Sequence, residues 1–70
     1  MTMMINKLTD WSGFSYHINM EFKVTGGENY TIINIVEHKP ESKNDKWYYD
    51  VFFSNYKVRR IFEFKEIDYG

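Results

Sequence analysis

From Phe14 to Val24 the chain alternates without a break, with Phe14, Tyr16, Ile18, Met20, Phe22 and Val24 apolar and Ser15, His17, Asn19, Glu21 and Lys23 polar between them. Successive side chains of a β-strand point to opposite faces, so the run predicts one long strand with a buried face and a wet one. Gly26-Gly27 follows, and glycine accepts the positive φ that a tight hairpin demands. Tyr30 to His38 reads as the second strand. A two-residue loop at Gly26-Gly27 would set Phe22, Met20 and Ile18 opposite Thr31, Ile33 and Ile35. A three-residue loop shifts the pairing by one and turns Ile32 and Val36 inward instead. The first register is favoured because it spares Asn34 and His38 from burial.

Lys39 to Lys46 is polar, holds the chain's one proline, Pro40, and predicts a solvated loop. A third strand follows over Trp47 to Ser54 and a fourth over Lys57 to Ile67, joined by a two-residue turn at Asn55-Tyr56. That turn would place Trp47, Tyr49, Val51 and Phe53 against Phe64, Phe62, Arg60 and Val58 on one face. Tyr48, Asp50 and Phe52 would meet Glu63, Ile61 and Arg59 on the other. Near the N-terminus, Met4, Leu8 and Trp11 recur at spacings of four and three, which predicts a short helix within residues 3–12, with Gly13 as its left-handed stop. The expected fold is mainly β: two antiparallel hairpins in a twisted four-stranded sheet or small open barrel, a short N-terminal helix packed on it, and a single domain over 1–70.

Strands two to four carry apolar side chains on both faces. A sheet of that kind must be covered on both sides, and one short helix cannot cover a whole face. The surplus is expected to close a barrel, to meet a partner or to meet a second copy in a homodimer.

Composition sharpens this picture in three ways. Six Phe, six Tyr and two Trp in 70 residues supply the large buried areas that so small a core needs. With no cysteine there is no disulfide framework, which suits a reducing compartment. The N-terminal residues lack a signal-peptide pattern and no stretch is long enough to span a membrane, so the expected setting is cytoplasmic. Phe, Tyr, Met, Ile, Asn and Lys, all with A/T-rich codons, make up about half of the chain, while Ala and Gln are missing. That bias suggests an A+T-rich gene of the kind common in bacteriophages and mobile elements.

Chemistry is sparse. Two histidines, His17 and His38, do not make a metal site, and no serine stands in a recognisable nucleophile setting. Glu63, Glu66 and Asp68 crowd the C-terminus without a cleft to work in. Neither an enzyme nor a cofactor is expected. The formal charge of −1 gives no long-range pull toward nucleic acid or a membrane surface. The basic run Lys57-Val58-Arg59-Arg60 beside aromatics is the most suggestive local feature, and Tyr48, Phe52, Tyr56, Arg59 and Ile61 form the candidate interface. Such residue types dominate protein interfaces, so the expectation is a protein-interaction or inhibitor module acting on a host or cellular protein. The alternative is a small barrel that binds single-stranded nucleic acid or a nucleotide by stacking bases and pairing phosphates.

Overall fold

A computed structural model describes residues 2–69 of the chain, so Met1 and Gly70 lie outside the described residues. Eight strands follow one another: β1 (Thr2–Met4), β2 (Lys7–Asp10), β3 (Ser15–His17), β4 (Glu21–Phe22), β5 (Tyr30–His38), β6 (Tyr48–Phe53), β7 (Val58–Ile61) and β8 (Phe64–Asp68). All pairings are antiparallel and fall into two sheets, β1-β5-β6-β7 with β4 also on β5, and β3-β2-β8.

Three stretches of chain bend and serve both sheets. β1 and β2 are separated at Ile5-Asn6, β3 and β4 at Ile18–Met20, and β7 and β8 at Phe62-Glu63. Each half pairs with a different neighbour, so the pairings run in a closed circuit: β2 to β3, β4 to β5, β5 to β6, β6 to β7 and β8 back to β2. Closure of this kind covers an inner apolar face without a second layer. Ile5, Leu8, Tyr16, Ile32, Ile35, Tyr49, Val51 and Ile61 fill it, with Ile18, Met20, Phe22, Phe53 and Ile67 packed around them.

The expected N-terminal helix is not there. Residues 2–4 and 7–10 are strands joined by a bend at Ile5-Asn6, and the described residues contain no helix. Of the expected stripe Leu8 is buried, beside Ile5 across the bend at Asn6, while the Met4 side chain lies outside what is described. Trp11 is mostly exposed, at the tip of the β2–β3 hairpin. Gly13 does take a left-handed φ, 95°, but as part of that hairpin's turn. Its N–H donates to the Asp10 carbonyl at 3.0 Å, and the Asp10 N–H donates to the Phe14 carbonyl at 2.8 Å.

The long alternating run is also divided. Asn19 has a φ of 69°, and the Met20 N–H donates to the His17 carbonyl at 3.1 Å, which closes a tight turn in mid-run. Asparagine tolerates this backbone region far better than most residues do. Before the turn the run pairs with β2, and after it with β5.

Both favoured hairpin registers are one residue off. Glu21 pairs with Thr31 and Phe22 with Tyr30, the register of the three-residue loop, and Ile32 is buried while Ile33 is 56% exposed. Asn34 and His38 are accordingly half-buried rather than spared. A register shift against β6 between Ile32 and Asn34 makes Ile33 a bulge, so Ile32 and Ile35 both point inward. Between β6 and β7, Tyr49 pairs with Ile61, Asp50 with Arg60, Val51 with Arg59 and Phe52 with Val58. The loop there is Ser54-Asn55-Tyr56: the Tyr56 N–H donates to the Phe53 carbonyl at 3.1 Å and the Phe53 N–H to the Lys57 carbonyl at 3.0 Å.

Candidate functional site

The one-residue shift between β6 and β7 divides the expected interface. Ile61 lies opposite Tyr49 in the core and is no surface residue. Arg59, opposite buried Val51, leaves β7 on the inner side, whereas Tyr48 and Phe52 lie on the outer side with Asp50. Tyr56 stands apart from both at the hairpin tip, 97% exposed. Of the expected cluster, the structure therefore brings Tyr48 and Phe52 to one face, Arg59 and Ile61 to the other, and Tyr56 to the edge between them.

On the outer side, Asp50 is buried and gathers charge around itself. Arg60 Nε donates to Oδ1 at 2.9 Å and its terminal NH2 donates to Oδ2 at 3.2 Å. His38 Nε2 stands 3.2 Å from Oδ2 but off the line of a hydrogen bond. The β6 strand lies between β5 and β7, so Tyr48 receives His38 from one side, ring to ring at 4.5 Å, and the Arg60 guanidinium from the other at 4.3 Å. Donation to Asp50 pushes the Arg60 pKa further up. Within this cluster the Arg60 cation is held by its own acid, while the buried His38 Nε2 has no hydrogen-bond partner.

The inner side is different. Phe14, Tyr16, Phe22, Tyr30 and Phe53 form one connected group where β7 and the β2–β3 hairpin part. Phe14 meets Tyr16 at 4.7 Å, Phe22 stacks on Tyr30 at 5.1 Å, and Phe53 stands edge-on to both Phe22 and Tyr30 at 5.8 and 5.5 Å. They line a hollow of 300 Å³ whose rim holds Asp10, Ser12 and Arg59. A second hollow of 770 Å³ shares Tyr30, Phe53 and Arg59 with it and runs along Lys57 to Arg60. Together they make one aromatic-floored groove beside β7.

Charges on this groove are unevenly matched. The Arg59 guanidinium lies 5.9 Å from the centre of the Tyr16 ring and has no ion-pair partner among the described residues. Lys57 has none either. Asp10 is spent on its own turn: the Ser12 hydroxyl, the Ser12 N–H and the Phe14 N–H donate to Oδ1 at 2.5, 3.0 and 3.0 Å, and the Tyr16 hydroxyl donates to Oδ2 at 3.1 Å. Those bonds, that of the Ser12 side chain foremost, hold the Asp10 carboxyl below its ordinary pKa. Burial raises the Tyr16 phenol above its own, against the pull of Arg59.

Tyr56 adds a backbone signal. Its φ is 67°, and its hydrogen bonds copy those of Gly13 in the β2–β3 turn, residue for residue. It sits where a glycine fits without strain, and a bulky side chain there costs about 1 kcal/mol or more. Strain of this sort concentrates at functional positions, and here it projects a whole phenol ring into solvent.

The inner groove was not legible as a site in the sequence. Its aromatics are apolar positions of the alternating run and of β5 and β6, where a core role is the ordinary reading. A further exposed apolar patch joins Trp11, Phe62 and Phe64 with Glu63. Among the described residues no three His, Asp or Glu side chains are placed to hold a metal ion, and no helix is long and apolar enough to cross a membrane. Comparison with protein-family models, with curated proteins and with solved structures finds no match for this chain.

Proposed function

We propose that this chain is a non-enzymatic module that binds a partner protein through the groove beside β7 and the neighbouring tip at Tyr56. The observation that carries this reading is the combination of an aromatic floor, a fully exposed Tyr56 held in a strained backbone, and the unpaired Arg59 between them. Tyrosine and arginine are the side chains that most often anchor protein interfaces. In keeping with the A+T-biased composition, the form proposed is a small phage or mobile-element inhibitor that occupies a host factor in the cytoplasm.

Binding of single strands is the competing reading, favoured by Lys57 and Arg59 beside aromatic rings. Base stacking needs free ring faces. Phe22 and Tyr30 already stack on each other and Phe53 closes against both, so the groove offers mostly edges. Asp10 and Glu28 also line it, and a phosphate backbone, charged at every nucleotide, would meet them where a single carboxylate opposite Arg59 would not.

Affinity capture from a bacterial lysate, with and without nuclease, tests the reading. The expected result is a protein retained after nuclease treatment and lost with Tyr56→Ser. Submicromolar binding of a mixed-sequence oligonucleotide by the unmodified chain at physiological salt overturns it.

A further inference from the structure

We propose that the free edge of β7 is a docking site for one extended segment of the partner, added as a strand, with a carboxylate side chain opposite Arg59. This rests on the reading of the groove as a protein-binding site and names the form and charge of what it takes.

The parity of the hairpin decides which backbone groups are free. In an antiparallel ladder, hydrogen-bonded and non-hydrogen-bonded pairs alternate. Phe53 and Lys57 form a bonded pair, since the Phe53 N–H donates to the Lys57 carbonyl. The register from there to Ile61 is continuous. Arg59 and Ile61 are therefore bonded to β6, while Val58 and Arg60 turn their N–H and carbonyl groups away from it. Among the described residues no other strand pairs with β7: the chain breaks at Phe62-Glu63, and β8 goes on to meet β2. The second hollow of the groove, 770 Å³, lies along this edge and is lined by Lys57, Val58, Arg59 and Arg60. An incoming strand finds two donors and two acceptors in register, with room beside them. Strand addition to such an edge takes its affinity from main-chain bonds and its specificity from alternate side chains.

Charge then selects the occupant. The incoming residue directly opposite Arg59 shares its inner face, and opposite charges across such a pair are favourable while like charges are not. Residues two before and two after it share that face opposite Lys57 and Ile61, beside Val24, Tyr30 and Phe53 at the Lys57 end and beside the apolar Ile61 at the other. The preferred segment therefore reads apolar, acidic, apolar at alternate positions. A second copy of this chain fits badly, since pairing β7 with β7 would bring two Lys57-Val58-Arg59-Arg60 segments together. Basic side chains are a common guard of exposed edges, and here the same charges that repel a copy attract an acidic strand.

The test uses the unmodified protein and a capped synthetic peptide, Thr-Val-Thr-Glu-Thr-Val-Thr, followed by amide hydrogen exchange. The peptide is expected to slow exchange at Val58 and Arg60 and to bind about tenfold more tightly than its counterpart with Lys for Glu. Arg59→Glu is expected to invert that preference, and methylation of alternate peptide nitrogens to abolish the protection. Unchanged exchange at Val58 and Arg60 under excess peptide overturns the proposal, as does equal protection by the Glu and Lys peptides. Protection of the same amides by concentrated protein alone also overturns it, in favour of a second copy. If the peptide fails while Tyr56→Ser still abolishes capture of a partner, strand addition falls and the protein-binding reading stands.

Discussion

Arg59 and Arg60 are neighbours in the chain and leave β7 on opposite sides. Arg60 is held by the buried Asp50 carboxylate through two hydrogen bonds, whereas Arg59 reaches over Tyr16 with no acid to meet it among the described residues. One arginine neutralises a buried charge of the fold, and the other is available to a ligand. The pair also reports the register of the β6–β7 hairpin, because a slip of one residue would exchange their roles.

Stability measurements should separate the two. Arg60→Ala leaves a buried carboxylate without its main partner and is expected to lower the denaturation midpoint clearly. Arg59→Ala is expected to change stability by less than about 0.5 kcal/mol. Urea denaturation of both variants checks this, and equal losses would contradict the register.

The bulge in β5 makes a second contrast. Ile35 is fully buried opposite Val51, and Ile33 is exposed. Ile35→Ala should cost roughly 2 to 5 kcal/mol, while Ile33→Ala should stay within about 0.5 kcal/mol. A large loss at Ile33 would mean that the bulge is misplaced.

At the hairpin tip, function and stability should oppose each other. Tyr56→Gly relieves a positive φ and is expected to stabilise the fold by about 1 kcal/mol, raising the thermal midpoint by several degrees. The same substitution should weaken capture of the partner protein. A thermal scan alongside the capture assay reads both, and a lowered midpoint would show that the Tyr56 ring contributes to the fold.

Alkaline pH should expose a further weakness. Burial first, and then the charge of Glu37, push the Tyr49 phenol from an ordinary 10.0 up to about 12. Below pH 10 both states keep the proton and Tyr49 has no effect on the balance. Between 10 and 12 the unfolded chain releases it while the folded chain cannot, so stability falls as pH rises through that window. Tyr49→Phe should flatten this fall, which denaturation midpoints across the range would measure. Tyrosinate absorbance should show one phenol titrating last.

The span Tyr30 to His38, the polar loop after it and a mainly β fold follow from local patterning, but the turn at Ile18–Met20 that divides the run from Phe14 to Val24 and the break at Phe62-Glu63 that divides the expected strand from Lys57 to Ile67 do not. Gly13 was legible as a left-handed position, though not as a hairpin turn in place of a helix stop. The side of the sheet on which each later residue lies was not legible. That depends on whether a loop holds two residues or three and on a bulge at Ile33, and each such choice inverts every side chain beyond it. Periodicity also cannot distinguish a helical stripe from a strand bent at Asn6, since both bury residues three apart. The candidate site shared this fate. Tyr56 and Arg59 stood out by residue type alone, but the floor beneath Arg59 is assembled from β3, β4, β5 and β6. Phe22, Tyr30 and Phe53 meet across the β4–β5 and β5–β6 pairings, but only closure of the circuit through β8 and β2 sets Arg59 of β7 over Tyr16 of β3, because the bent strands are shared by the two sheets.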